Sequence, residues 1–244
     1  MSPGFRTVRR GCQTQKRSSL DALMGLSQTC IETRTTAYAG RGLFVTKSVS
    51  AGTTLLSGVV PLSRGKDYPE VIGKLMLKTA LDQVNGSSAL MSIIAHLIFP
   101  SNLASRKFSE VEEKELARGM SEVHRYVNSN SGESFELVEV DKDVYIRLWG
   151  VCALNSLRSP SSGQLALYGA VSLINHSCSP TCGLQFDSND TINVVSLKRL
   201  EINSQVTINY IDHQNLKEKE KAESLYSNYS IICTSGSDCA CISV

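Results

Sequence analysis

The feature that most constrains the fold is a change in the spacing of apolar residues along the chain. Short segments rich in Val, Ile and Thr, which favour strands, flank a middle segment in which apolar residues recur with a helical period. Residues 69–157 are therefore predicted to form a helical insert. With 244 residues, 41% of them hydrophobic, the chain is long enough to bury one sizeable core. The sequence predicts an α+β fold that is mainly β.

The predicted strands are short and are separated by turn residues. Gly40-Arg41-Gly42 forms a turn directly before an apolar strand. Glycines there can adopt positive φ and let a ligand approach the backbone, although such a triplet is more often a simple hairpin turn. Further strands are predicted over residues 53–62, 181–186, 192–197 and 205–211.

The predicted helices are recognised by their apolar faces and their ends. A proline ends the first at Pro100, and Ser109 with Glu112 forms a capping box that opens the second. His96 and His124 are expected to be ordinary surface or packing residues of these helices. The predicted helical ranges are 89–98, 109–127, 143–154 and 215–228.

The densest group of chemically reactive side chains is Asn175-His176-Ser177-Cys178. It follows the apolar run 170–174 and precedes Pro180. Polar groups this close together behind a buried segment indicate a site more than a core. The residues alone leave three interpretations open, namely a metal site, an activated thiol and a ligand-binding loop.

Charge and composition narrow the classes of partner. The chain has 25 basic and 23 acidic residues, for a net charge of +2, which gives no general argument for binding nucleic acid or a membrane surface. No apolar run approaches the length of a membrane span. Residues 1–30 are expected to form a basic, flexible tail. Its Arg-rich, acid-poor start also fits an organelle presequence or a nuclear address.

Cysteine usage favours metal binding over disulfides. No signal peptide is visible, so the eight cysteines are expected in a reducing compartment. Three of them, Cys233, Cys239 and Cys241, fall in the last twelve residues. In extended backbone Cys239 and Cys241 point to the same side, and tetrahedral zinc would need a fourth ligand.

Four features in this order resemble the SET-domain lysine methyltransferases. They are the turn Gly40-Arg41-Gly42-Leu43, the signature Leu173-Ile174-Asn175-His176-Ser177-Cys178, the strand Val206-Thr207-Ile208-Asn209-Tyr210, and the trailing cysteines. The resemblance implies a SET-domain β-clip or pseudoknot fold with a post-SET zinc module. It places the SET domain at residues 31–212 and the post-SET helix and zinc module at 213–244.

Within that family the chain is similar to the SET-and-MYND branch. Asn155-Ser156 and Tyr210-Ile211-Asp212 follow that branch's order. The MYND finger is expected to be absent, because no cysteine lies between Cys30 and Cys152, and these 244 residues are not expected to include the branch's C-terminal helical domain. The spacing of the last three cysteines differs from the usual pattern, and Ile231 stands where an aromatic residue often lies near the adenine.

The resemblance implies a protein-lysine N-methyltransferase that uses S-adenosylmethionine and one structural Zn²⁺. Tyr210 is the implied catalytic residue, and Tyr168 and Tyr229 are candidates for additional walls of a lysine channel. The implied cofactor-binding residues are Gly40, Arg41, Gly42, Asn155, Asn175, His176, Tyr210 and Ile231. The implied zinc ligands are Cys178, Cys233, Cys239 and Cys241, with Cys182 as the competitor for Cys178.

Two other functions remain open from the sequence. One is a catalytically weak SET-fold scaffold or binding protein. The other is a cysteine hydrolase using Cys178 and His176, against which their i, i+2 spacing argues. The expected partner is a lysine of a histone or another protein, with no nucleic acid and no membrane. The chain is expected to be a monomer in the nucleus or the cytoplasm, and its basic start leaves an organelle possible.

Overall fold

The computed structural model describes residues 19–26, 28–36, 40–97, 107–131, 140–211, 218–229, 231–233 and 241–243. These ranges contain helices, strands and one short 3-10 helix at Ala170–Leu173. The helices are α1 (Ser19–Leu23), α2 (Tyr68–Val84), α3 (Ala89–His96), α4 (Glu110–Asn130), α5 (Lys142–Asn155) and α6 (Glu218–Tyr229). The strands are β1 (Ile31–Thr35), β2 (Arg41–Val45), β3 (Thr54–Val59), β4 (Ser63–Gly65), β5 (Ser156–Arg158), β6 (Leu165–Leu167), β7 (Asn175–His176), β8 (Cys182–Phe186), β9 (Ile192–Ser196), β10 (Gln205–Ile208), β11 (Ile231–Cys233) and β12 (Cys241–Ser243).

The strands form small sheets whose order does not follow the chain. The orders are β1-β2-β10-β7, β3-β9-β8, β4-β6-β5 and β11-β12. Their pairings are antiparallel except for β7 with β10, which is parallel, with Asn175 opposite Thr207 and His176 opposite Ile208. This parallel pair brings the 175–178 segment beside the end of β10.

The helical insert lies between β4 and β5 in the chain, and three of its helices begin at residues whose side chains cap them. Asp67 caps α2, accepting from the Glu70 amide at 3.0 Å, and Asp141 caps α5. The predicted capping box of α4 is confirmed, because the Ser109 amide donates to the Glu112 carboxylate at 2.8 Å while Glu112 N donates back to the serine hydroxyl. Helix α2 packs against α4, α5 and β4, which joins the insert to the sheets.

The N-terminal segment differs from its prediction. Residues 19–26 lie within the predicted flexible tail, yet they form α1 and a turn that packs on the core. Leu26 is fully buried, and the buried carboxylate of Asp21 accepts from the Thr33 amide at 2.7 Å and its hydroxyl at 2.8 Å. The prediction of a flexible tail up to residue 30 is therefore wrong for residues 19–26. A buried carboxylate and apolar side chains fix this segment to β1 and the core.

The predicted strands are confirmed with shortened ends, whereas α5 and α6 each end one residue beyond their predictions. The strand predicted over 205–211 ends at Ile208, and the one predicted over 53–62 is found as β3 and ends at Val59, before Pro61. Helix α3 ends at His96, while Ile98 and Pro100 lie outside the described residues. Among the helices in the described ranges, none is both long enough and apolar enough to cross a lipid bilayer.

Candidate active site

Tyr210 lies just beyond the end of β10 and is half-buried between two other rings. Its hydroxyl donates to the Ile174 carbonyl at 2.6 Å, and its amide donates to His176 Nδ1 at 3.1 Å. The ring centroid lies 5.3 Å from that of His176 and 4.9 Å from that of Tyr229. Both ends of Tyr210 are thus fixed to the segment that leads into β7.

The protonation state of Tyr210 follows from its burial. Desolvation raises the pKa of the Tyr210 hydroxyl well above its usual value, and the nearby Tyr229 raises it further. Burial also raises the pKa of Tyr229, with a smaller contribution from Tyr68. The Tyr210 hydroxyl therefore stays protonated at neutral pH. Because its one proton is donated to Ile174, its oxygen faces any ligand as a hydrogen-bond acceptor and not as a base.

His176 is buried, and its bonding partners define its tautomer. Nδ1 accepts a hydrogen bond from the Tyr210 amide, so in the neutral ring the proton lies on Nε2, which is 3.4 Å from Cys178 Sγ. A ring with that tautomer donates to the cysteine and cannot remove the thiol proton. The arrangement opposes a cysteine hydrolase and supports a structural role for His176.

A narrow cavity of about 30 Å³ lies beside the Tyr210 ring. The cavity is mostly apolar, with hydroxyl and amide groups at its edge. Its lining residues are Leu154, Asn155, Ser156, Leu157, Val171, Ser172, Ile174, Ile208, Tyr210 and Tyr229.

The polar edge of the cavity is held by hydrogen bonds to backbone carbonyls. Asn155 is buried and its Nδ2 donates to the Val151 carbonyl at 2.7 Å. The Ser172 hydroxyl donates to the Asn155 carbonyl at 3.3 Å and, more closely, to that of Tyr168. These bonds tie the end of α5 to the 3-10 helix that precedes β7.

The glycine turn lies against Asn175, as the order of motifs led us to expect. Gly40 has a φ of +63°, which favours glycine. A Cβ atom added to Gly42 would lie 2.7 Å from both Asn175 Nδ2 and Gln205 Nε2, so the two amides leave no room for a side chain. Asn175 Nδ2 also donates to the Arg41 carbonyl at 3.1 Å. The turn and the 175–178 segment therefore form one continuous surface.

Three predicted site residues are placed differently from the rest. The Arg41 guanidinium donates to the His96 carbonyl at 2.6 Å, at the end of α3. Ile231 is 6% exposed, but it is not among the residues that line the cavity. Tyr168 is fully buried and donates its hydroxyl to the Asp190 carbonyl at 2.6 Å, so it belongs to the core and not to a channel wall.

Two of the predicted metal ligands are in contact. Cys178 Sγ lies 3.3 Å from Cys233 Sγ, and Cys241 stands opposite Cys233 in the β11-β12 pair. Cys182 lies in the hydrophobic core and is 1% exposed. Cys239 lies outside the described residues, and Cys241 is described through its backbone. Within the described ranges, no group of three or more His, Cys, Asp or Glu is placed to hold a metal ion.

Sequence reasoning missed Ser172 and Gln205. Ser172 interrupts an apolar run one helical turn before Asn175, and that position was an available signal. Gln205 gave no such signal, because it reaches Gly42 only through the antiparallel pairing of β10 with β2.

Comparisons with known proteins agree on the fold. A family model described as SET domain matches residues 40–211. No curated protein sequence matches the chain. The structure is similar to that of the SET domain of LSMT bound to lysine and AdoHcy, with a TM-score of 0.52 and 14% identity, covering 88% of this chain and 58% of that one. It is also similar to Rubisco LSMT bound to sinefungin and monomethyllysine, with a TM-score of 0.54 and 17% identity, covering 87% of this chain and 54% of that one. The chain thus spans just over half the length of these structures.

Proposed function

This chain belongs to the SET-domain family, and from that premise we propose that it transfers a methyl group from S-adenosylmethionine to a lysine of a protein or peptide. The observation that carries the proposal is the Tyr210 hydroxyl, fixed to Ile174 at the wall of a narrow apolar cavity. Two structures of similar fold are described as bound to lysine with AdoHcy and to monomethyllysine with sinefungin. Those ligands support the same chemistry here.

The proposed reaction requires alignment more than it requires acid or base catalysis. Methyl transfer to an amine is an in-line displacement, and fixed geometry can lower such a barrier by about 7–11 kcal/mol. The amine must also be neutral, and an apolar cavity lowers the pKa of a lysine from its usual value of about 10.4. The Tyr210 oxygen accepts a hydrogen bond from the amine and so directs its lone pair.

The residues of the glycine turn fit the cofactor because they leave backbone groups open to close approach. Gly42 has no space for a Cβ atom beside Asn175, and the turn thereby brings backbone and amide groups to one surface. The backbone of residues 40–42, with the amides of Asn155 and Asn175, would bind the cofactor, which supplies the methyl group. The cavity, of about 30 Å³, is too small for a nucleoside, so we assign it to the lysine end of the site and not to the cofactor.

The test is methyl transfer from labelled S-adenosylmethionine to histones and to a cell extract, with mass spectrometry of the modified peptides. We expect label on lysine and a cofactor dissociation constant measurable by calorimetry. Cofactor binding without transfer to any protein would favour the scaffold alternative. Absence of both binding and transfer would contradict the proposal.

We also propose that Cys178, Cys233, Cys239 and Cys241 bind one structural Zn²⁺. The Cys178–Cys233 contact and the register of β11 with β12 support this set over one containing Cys182. Elemental analysis is expected to find about one zinc per chain, in line with four-thiolate structural sites. Cys178→Ser should lose the metal and Cys182→Ser should retain it, and the reverse result would assign the site to Cys182.

Several finer points stay predictions. They are membership of the SET-and-MYND branch, a histone target, a monomeric state, and a location in the nucleus, the cytoplasm or an organelle. The proposed domain limits are 31–212 for the SET domain and 213–244 for the post-SET module. Light scattering of the purified protein would test the monomeric state, and the identity of the methylated peptides would test the histone target.

A further inference from the structure

Arg41 connects two parts of the molecule that are far apart in sequence. Its carbonyl accepts from Asn175 Nδ2 at 3.1 Å, while its guanidinium donates to the His96 carbonyl at 2.6 Å. One residue of the glycine turn is therefore bonded both to the strand that carries the central signature and to the helical insert.

The bond to His96 occurs where a helix lacks its own partners. The last carbonyls of a helix have no intrahelical donor, and a cation there also interacts favourably with the helix dipole. Helix α3 has eight residues and no side-chain hydrogen bond at its N-cap, so it depends on tertiary contacts. Arg41 supplies such a contact at the C-terminal end.

Helix α3 is also packed close to the cavity. It contacts α1 and α2, and Ile93 lies near Gly169, which directly precedes the 3-10 helix. That 3-10 helix carries Ser172, which lines the cavity. A shift of α3 would thus displace the glycine turn through Arg41, and it would displace the cavity wall through residues 169–172.

We propose that Arg41 is a positioning residue. Its bond to the His96 carbonyl, which we call the lock, holds the 40–42 turn against α3, so that cofactor affinity depends on the position of the helical insert. The Arg41 side chain acts in this way through its bond to the His96 carbonyl and not by contact of the guanidinium with the cofactor. The inference rests on the proposed function for its effect on cofactor binding. Its structural part, the lock itself, can be measured without any cofactor.

The test compares Arg41→Met and Arg41→Lys with wild type by calorimetry with S-adenosylmethionine and by amide hydrogen exchange. We expect R41M to weaken cofactor binding about tenfold and to speed exchange in both residues 42–44 and residues 93–97, because the lock is lost. R41K retains a cationic donor and should recover about half of that loss on a logarithmic scale. Arg34→Met is the matched control, since Arg34 lies on the neighbouring strand β1, where it stacks over Phe44 of β2 and pairs with Glu32 instead of a carbonyl of α3. It should change affinity by less than about twofold.

A second variant separates positioning from direct contact. Leu97→Ala disturbs the end of α3 at a residue that is 4% exposed and has no place in the turn. If Arg41 acts through α3, L97A should also weaken cofactor binding, and the double variant should lose less than the two single losses combined. Additive losses, or weaker binding in R41M with unchanged exchange in residues 93–97, would overturn the proposal in favour of direct contact.

Failure of the proposed function can be distinguished from failure of the proposal for Arg41. If wild type binds no S-adenosylmethionine, the function is contradicted and the lock is judged by hydrogen exchange alone. Faster exchange of both segments in R41M, but not in R34M, would then support it. Unchanged exchange, with folding verified by circular dichroism, would overturn it.

Discussion

The junction of β7 with β10 and the far side of the helical insert are stabilised by different kinds of contact. At the junction, buried side chains bond to backbone groups distant in sequence, as with Tyr210 to Ile174 and Asn175 to Arg41. On α4, the polar contacts are exposed and mostly local, namely the capping box and ion pairs such as Lys114 with Glu110, while its apolar side packs on α2. Exposed pairs of that kind contribute little to stability. The difference indicates that changes at the junction alter chemistry, whereas changes on α4 alter mainly stability.

The largest effect is expected from Tyr210→Phe. The variant keeps the ring but loses the oxygen that directs the amine and the bond to Ile174. Loss of alignment at a reacting centre can reduce the rate by about 100-fold, which is the decrease in kcat that we expect. Cofactor binding should change by less than about threefold, as measured by calorimetry. Tyr226→Phe, at an exposed position of α6, is the control and should leave kcat unchanged. Equal activity of Y210F and wild type would remove Tyr210 from the mechanism.

Asp190→Asn tests whether burial alone makes a region important for catalysis. Asp190 is 1% exposed, lies in the turn between β8 and β9, and accepts hydrogen bonds from Ser159, Ser161 and Ser162. Asparagine tolerates its φ of +63°. We expect a loss of about 2 kcal/mol in the free energy of unfolding, because bonds to a charged group are lost. Activity of the folded protein should persist, since Asp190 lines no part of the cavity.

The pH dependence of that loss follows from the direction of the pKa shift. The bond from Ser159, followed by those from Ser161 and Ser162, holds the pKa of Asp190 below its usual value, with burial opposing them. The carboxylate therefore stabilises the fold at pH values above its unfolded pKa of about 3.9, and this contribution is lost as the pH falls through the lower folded value. Denaturant unfolding should show wild type and D190N converging below about pH 4. Glu201→Gln is an exposed control: bonds from Arg199 and then Ser48 also lower the pKa of Glu201, but solvent screens them, and the difference from wild type should be much smaller than that of D190N.

Gly42→Ala addresses the packing of the glycine turn. The new Cβ atom would crowd the Asn175 and Gln205 amides, which are ends of flexible side chains and can move. Movement of Asn175 breaks its bond to Arg41, and we expect cofactor binding to weaken about tenfold, or about 1.4 kcal/mol. Gly183→Ala is matched, because its Cβ atom would meet only the end of Leu197, at 3.3 Å, away from the site. An equal loss of affinity in G183A would show that the effect is general and not local.

How much the sequence could predict differs between the same two regions. The start of α4 was predictable because Ser109 and Glu112 are three residues apart and carry their own signal. The proximity of Tyr210, Asn175 and Gly42 was predicted only through the order of motifs in a known family. The Arg41 bond to His96 and the place of Tyr168 in the core could not be predicted, because each depends on contacts across 55 and 22 residues. The burial of residues 19–26 was missed because a basic, serine-rich start masks three apolar residues, Leu20, Met24 and Leu26, and one carboxylate.

The smallest effect is expected from Ser109→Ala, which tests whether changes on α4 alter stability and not chemistry. Loss of the N-cap leaves amides at the start of α4 without their partner and should lower the free energy of unfolding by about 1 kcal/mol. Ser121→Ala is matched, since its hydroxyl bonds to the Ala117 carbonyl within the same helix and alanine is the better helix former. Denaturant unfolding should separate the two variants, while methyl transfer should be the same in both. A change of more than about fivefold in cofactor affinity for S109A would show that α4 is coupled to the junction. The coupling through Arg41 would then extend beyond α3 to the whole insert.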